Sequence, residues 1–468
     1  MRIHSSILPL SEIANGLRSG KLSAVGLVED CIAKRNDTLD AYKSWRPDVA
    51  MSMAALADQA FSDQKDLGAL QGIPISLKDL YAVRDMEIYA GSPRLLPDAL
   101  QREGPLVENL RQQRAVFTGK THTVEFAFSG LGLNSHWGTP RNPWDNAVHR
   151  VPGGSSSGAG VSLIEGSAIL AFGSDTAGSV RIPASLTGTV GLKTTHGRWP
   201  LAGIVPLSPT LDTPGLLART ADDMLFAFAA IDPQIQRSYG ALLDQANHLD
   251  AAEIVIATAE PKLWQDCGPG IAETVDTALS ELSRHGVKII DLPIPEVADA
   301  IELAHVGNVV AYELGEFLKS ELPEWLGTLD PVVASRLKDG VAISVEEYQR
   351  RRLLLEKLQR TAHSHFERCD VIASPTVAVT APTVEEVSAV SGHRPHNMAV
   401  LRNTCAGNSL GLCAITLPIG LDASGIPVGL QLMGENGQDE KLICIASYIE
   451  RLIGNRAERV GPAPIISS

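Results

Sequence analysis

The chain reads as an α/β protein: a large mixed β-sheet covered by helices on both faces, in a single domain. Three observations predict this. Short apolar runs such as GIPISL (72–77), DVIASPT (370–376) and AITLPIGL (414–421) recur along the chain. Helical patterns alternate with them. No internal repeat and no clean linker divides the 468 residues, although length alone would allow roughly two to four domains. At 44% hydrophobic and 20% charged, the composition supplies a large core.

The elements follow in order. Residues 10–60 read as helical, with Ser23 placed to cap a helix through LVEDCIAKR. GIPISL ends at Lys78-Asp79, a buried strand followed by a turn, and AVFTGKTHT is a second short strand reaching Gly119. Residues 126–160 are rich in Gly, Pro, Asn and Ser, with Trp137 and Trp144 packing a long loop. Loops of that kind inside a compact domain usually carry function. GVSLIEG reads as a helix, SAILAFGS as a buried strand, and DTAGSVRIPASLTGTVGLK (175–193) as a loop. Residues 215–365 read as mostly helical, a capping box from Ser344 to Glu347 opening one helix. GIPVGLQLMG is a late strand and EKLICIASYIERLIG the last helix. The expected layout is one domain over 1–468. It has a helical region at about 1–65, a core at about 66–220, a variable helical region at about 221–368, and C-terminal strands with a helix at about 369–460.

Charge and composition exclude several functions. A net charge of −14 repels phosphate backbones, so no nucleic-acid partner is expected. The basic run Arg350-Arg351-Arg352 reads as a solvated helix face. Six scattered cysteines form no CxxC pair, so zinc spacing is absent and reduced thiols in a cytoplasmic protein are expected. His363 and His365 read as surface residues, and neither a metal nor a cofactor is expected. The N-terminal 20 residues lack a signal-peptide core, and no 18-residue apolar stretch suggests a membrane span.

VPGGSSSGAG (151–160) needs an explanation. A flexible linker would separate folded units, whereas this run joins a Trp-containing loop to an apolar helix. A phosphate loop needs lysine where Ala159 stands, and GxGxxG fails at Leu163. Gly154-Ser155-Ser156-Ser157-Gly158 satisfies GxSxG, the nucleophile elbow of an α/β-hydrolase-type esterase. The apolar strand which that motif requires just upstream is missing.

Read with GIPISLKDL (72–80) and GSDTAGSVRIP (173–183), the stretch resembles the amidase signature family. Lys78 lies 77 residues before Ser155, and Ser155 lies 24 before Ser179. GKTHTVEFA, TPRNPWD, LDTPGLLART and GIPVGLQLMG extend the likeness over nearly the whole chain. The resemblance implies that Ser179 is a nucleophile that becomes acylated. Ser155 is the bridging serine, preceded by a cis peptide, and Lys78 is the base. It implies an oxyanion hole from the backbone of Thr176, Ala177, Gly178 and Ser179. Gly154, Ser156, Asp175 and Arg181 support the loops, and Ala127, Phe128 and Ser129 contact substrate. Physical chemistry agrees with those roles. A serine needs a base, and lysine serves near neutral pH only if burial disfavours its charge. Relatives read DTGGS where this chain has Ala177. A methyl group there requires a backbone that avoids glycine-only angles.

The expected function is amidohydrolysis of a small amide, carbamate or urea-like molecule, without further partners beyond a homodimer of the kind common among relatives. The alternative is the glutaminase-like subunit of a tRNA-dependent amidotransferase. Phe128 and its apolar neighbours hint at a neutral substrate rather than a dicarboxylate. Segments near 201–210, 305–330 and 375–400 are expected to complete the pocket.

Overall fold

The computed structural model describes residues 8–467 except 236, 259, 307 and 308; the start of the N-terminal stretch read above therefore lies outside the described residues. Eleven strands are found among them: β1 Tyr42–Trp45, β2 Pro74–Lys78, β3 Val116–Thr121, β4 Leu170–Asp175, β5 Val190–Lys193, β6 Thr213–Ala218, β7 Val255–Thr258, β8 Lys288–Asp291, β9 Val371–Pro375, β10 Cys413–Leu421 and β11 Pro427–Gly434. They form one mixed sheet in the order β1-β3-β2-β4-β6-β5-β10-β11-β9-β7-β8. β2 runs parallel to β3 and β4, while β10 pairs antiparallel with β5 and β11.

Alternation along each strand sends side chains to opposite faces. Leu170 and Phe172 of β4 join one apolar cluster, and Ala171 between them joins another. Val371 and Ala373 of β9 divide from Ile372 in the same way. Both faces are therefore covered. The N-terminal helices, Ala221–Ile231 and Asp439–Ile453 pack one side. Ser157–Glu165 and Arg181–Thr187 pack the other. In β2, Ile75 and Leu77 enter the first cluster, so Ser76 and Lys78 point to the second face. There Ser76 Oγ lies 2.9 Å from Ser162 Oγ.

Ser23 caps Ala24–Lys34 as expected, accepting the Gly26 N–H. Two readings need correction. DTAGSVRIPASLTGTVGLK is not all loop: it contains the helix Arg181–Thr187 and strand β5. The helix is only two turns long, too short for a 3.6-residue period to show, and its Pro183 sits in the first turn, where a missing N–H costs nothing. The stretches read as helical hide β1, β7 and β8, four residues each, and part of β6. Runs that short are defined by their sheet partners, not by local pattern. The Ser344 cap is present, but Glu347 closes no reciprocal box; its carboxylate accepts from Arg350 and Arg351 at 2.7 and 2.6 Å. That pairing partly neutralises the basic run on its helix face. No helix among the described residues is long and apolar enough to cross a membrane.

Candidate active site

Three loops converge at the ends of β2 and β4. Lys78 is the last residue of β2 and is fully buried. Its Nζ lies 2.7 Å from Ser155 Oγ and 3.0 Å from Ser174 Oγ. Burial lowers the amine to about 7, against the opposing pull of Asp175 and Asp212. A large fraction is therefore neutral near pH 7. Ser174 received no role from the sequence, although it belongs to the same GSDTAGS stretch.

Ser155 follows a cis peptide bond with Gly154. A Cβ at residue 154 would sit 2.6 Å from the Gly132 backbone nitrogen, so only glycine fits. The loop is tied to the next one through the backbone, the Ser156 N–H donating to the Ser179 carbonyl at 3.2 Å. No hydrogen bond joins the Ser155 and Ser179 hydroxyls among the described residues. Ser179 instead lines an apolar cavity.

Asp175 and Arg181 build the turn that presents Ser179. They form a fully buried ion pair at 3.0 Å. Burial opposes the Asp175 charge, but Arg181, Lys193 and Asn408 hold its carboxyl well below the usual range. Asp175 Oδ1 also accepts the Gly178 N–H at 2.7 Å. This bears on the oxyanion expectation. The Gly178 N–H is already engaged, leaving those of Thr176, Ala177 and Ser179 as candidates. Ala177 is absent from the positive-φ residues, which explains why a methyl group is tolerated there, whereas Gly178 has φ +130°. A Cβ on Gly178 would lie 2.1 Å from Thr404 Oγ1. Gly178→Ala is expected to lower stability by about 1–3 kcal/mol through strain and overlap, together with activity. Thermal unfolding beside a rate assay checks this, and a native-like melting temperature would contradict it.

Asp212, from LDTPGLLART, is a further group that sequence reasoning missed. It accepts from Thr176 Oγ1 at 2.5 Å and from the Leu207 and Ser208 N–H groups at 2.9 Å each. It thereby bolts the wall containing Leu207 to the Ser179 loop. Trp144 packs the long loop, donating to the Thr187 carbonyl at 2.9 Å, while Trp137 reaches the Ser92 carbonyl at 2.7 Å.

Ala127, Phe128 and Ser129 all line the cavity with Thr176, Ala177 and Ser179. Each segment expected to complete it contributes: Leu207 from the first, Val309 and Val310 from the second, Arg394 and Met398 from the third. Residues 307 and 308 of the second segment lie outside the described residues. Arg336 and Leu355 add to the wall from outside those segments. Arg336 was not anticipated, and its guanidinium stacks 4.1 Å from the Phe128 ring centroid. The cavity is therefore apolar with two guanidinium groups, whereas the Phe128 reading pointed to a neutral ligand.

The chain is similar to known proteins over nearly its whole length. Residues 26–443 match the family model described as Amidase. The chain is 45% identical over 455 residues to 2-amino-5-chloromuconic acid deaminase of Comamonas testosteroni, covering 97% of each. It is 30% identical over 501 residues to a component of the glutamyl-tRNA(Gln) amidotransferase of a Synechococcus strain, covering 98% of this chain and all of that one. Among solved structures, native peptide amidase from Stenotrophomonas maltophilia superposes with TM-score 0.81 at 25% identity, over 98% of both chains. An amidase crystal structure gives TM-score 0.86 at 26% identity, over 96% of this chain and all of the other.

Proposed function

The chain belongs to the amidase family and is a hydrolase of non-peptide carbon–nitrogen bonds, and on that premise we propose that it releases ammonia from a small carboxylic acid by way of Ser179. The observation that carries the mechanism is the 2.7 Å contact between the buried Lys78 amine and Ser155 Oγ, beside the loop that presents Ser179. Neutral Lys78 takes the Ser155 proton as Ser155 takes that of Ser179. The freed Ser179 oxygen adds to the carbon bonded to nitrogen. In an amide the negative charge develops on the carbonyl oxygen and is met by the N–H groups of Thr176, Ala177 and Ser179. In the imine tautomer of an amino-substituted muconic acid it develops on the nitrogen, which takes the returning proton. The incoming water then supplies the second proton that nitrogen needs to leave, giving a keto acid. The proton returns through Ser155 to the nitrogen, which leaves as ammonia. With an amide the remaining species is an acyl-enzyme; water, deprotonated by the same relay, displaces Ser179. The net change consumes one water, breaks a C–N bond and forms a C–O bond.

Two features support an acid as substrate. The cavity holds Arg336 and Arg394 among apolar side chains, and no Asp, Glu or Lys lines it among the described residues. The Comamonas relative is named for an amino-substituted muconic acid, and an acid of that class is the substrate we assign here. The amidotransferase reading is disfavoured by identity, 30% against 45%.

The test is to purify the chain alone and follow ammonia release from 2-aminomuconic acids, simple amides and glutamine. Turnover of an amino-substituted acid without partner proteins is expected; activity confined to glutamine with tRNA and partners would refute the reading. Arg336→Gln is expected to raise KM for the acid by roughly 10–100-fold, the loss of about 1.5–3 kcal/mol from a charged hydrogen bond. Its effect on a neutral amide should be several-fold smaller. Equal losses on both would show that Arg336 only supports Phe128.

A further inference from the structure

A second chamber shares Ser129 with the active-site cavity. Its polar lining includes Glu125, Ser129, Asn134, Ser135, Asp330 and His393, with the hydroxyls of Thr139 and Ser388, and no Lys or Arg lines it among the described residues. The Asn134 side chain donates to the Gly91 and Thr123 carbonyls and accepts from the His136 and Trp137 N–H groups. Ser135 donates to Asp330, whose other oxygen accepts the Val332 N–H. Glu125 Oε2 accepts the Asp330 N–H at 2.7 Å.

Two atoms of these residues are left over. Glu125 Oε1 and His393 Nδ1 are buried and have no hydrogen-bond partner. Glu125 is 1% exposed and His393 2%. Hydrogen-bond accounting fixes the histidine tautomer. Ser129 donates its one proton to Asn397 Oδ1 at 2.9 Å, so at 2.9 Å from His393 Nε2 it accepts. Nε2 carries the ring proton and Nδ1 is a bare acceptor. Burial, aided by the Arg336 charge, keeps the ring neutral by lowering it to about 3. His136 Nε2 lies 3.3 Å from Glu125 Oε1 without hydrogen-bonding to it, and burial lowers His136 as well. With Oε2 accepting the Asp330 N–H, the proton of the Glu125 carboxyl sits on Oε1; a carboxyl proton and a bare imidazole nitrogen suit a small base that takes the one and donates N–H to the other.

We propose that this chamber binds ammonium, the nitrogen product, against Glu125 Oε1 and His393 Nδ1. The proposal rests on the C–N hydrolysis above as the source of ammonia. The leaving NH3 takes the Glu125 carboxyl proton, giving ammonium and carboxylate, and Glu125 regains a proton from solvent once ammonium departs. Burial pushes Glu125 up to about 8, so the carboxyl holds that proton at neutral pH. An imidazole nitrogen accepts an N–H well and is a poor ligand for potassium, so ammonium is favoured over an alkali ion of similar size.

The test uses the full-length protein without substrate. Ammonium, potassium and tetramethylammonium chlorides are titrated at equal ionic strength and pH 7 while the melting temperature is followed. A saturable rise with ammonium alone is expected, its midpoint weakened at least tenfold by Glu125→Gln. Equal rises with potassium or tetramethylammonium, or an unchanged midpoint in Glu125→Gln, would overturn it. Should that variant fail to fold, ¹⁵N-ammonium NMR decides on the unmodified protein. Broadening relieved by unlabelled ammonium supports the site, and its absence refutes it. The same titration on Ser179→Ala separates the two proposals, because ammonium should bind there even though turnover is lost.

Discussion

Ser179→Ala is expected to reduce kcat by at least about 10⁴-fold while leaving the melting temperature near that of the unmodified protein. Losing the attacking oxygen of a serine hydrolase has costs of that order, because oxyanion contacts and binding alone cannot make the new bond. The structure explains why the fold should survive. The interactions that hold the loop are backbone contacts and the Asp175–Arg181 pair: Ser156 N–H to the Ser179 carbonyl, and Asp175 to the N–H groups of Gly178 and Val180. None uses the Ser179 hydroxyl. Stopped-time product assays on the folded variant provide the check, and turnover within about tenfold of the unmodified protein would assign the nucleophile elsewhere.

Lys78→Met should cost about 10²–10⁴-fold in kcat/KM, the span of a general base. The diagnostic signature is the pH profile. A neutral amine is the active form, so kcat/KM should rise through about pH 7 and level off above it. Below pH 7 the logarithm of the rate should fall by about one per pH unit. A limb near the ordinary lysine value would mean that the amine is not desolvated in solution. Stability gives an independent reading with a definite sign. The folded-state value lies below that of a free lysine, so the unfolded chain binds more protons between about pH 7 and 10.5. This residue therefore opposes folding most at and below pH 7, and the penalty fades as pH rises to 10.5. The difference in stability between Lys78→Met and the unmodified protein should shift toward the variant at low pH and shrink at high pH. The orphaned Ser155 and Ser174 hydroxyls offset part of the gain.

Much of this site is legible in sequence, for an identifiable reason. Lys78 ends an apolar strand, and the Ser-Gly and DTAGS loops are short and contiguous, so each brings its own backbone geometry. A glycine at 178 signals an angle and a close approach that no side chain tolerates. Other members leave no local mark. Asp212 reaches Thr176 from 36 residues away, and Arg336 stacks on Phe128 across 208 residues. The helix Arg181–Thr187 was concealed because two turns are too few to show a period, and β7 and β8 because four residues are too few to show alternation.

The order of residues by itself determined the α/β class, the family resemblance and the three residues assigned to the chemistry, because these depend on patterns within a few residues and on the spacing of three motifs. Tertiary structure alone decided which amides remain unengaged around Ser179, that Arg336 and Arg394 line a largely apolar cavity, and that Glu125 and His393 keep unpartnered polar atoms beside a neighbouring chamber. Those facts turn on which groups become each other's partners once water is excluded. That exclusion is set by segments hundreds of residues apart packing against the same sheet.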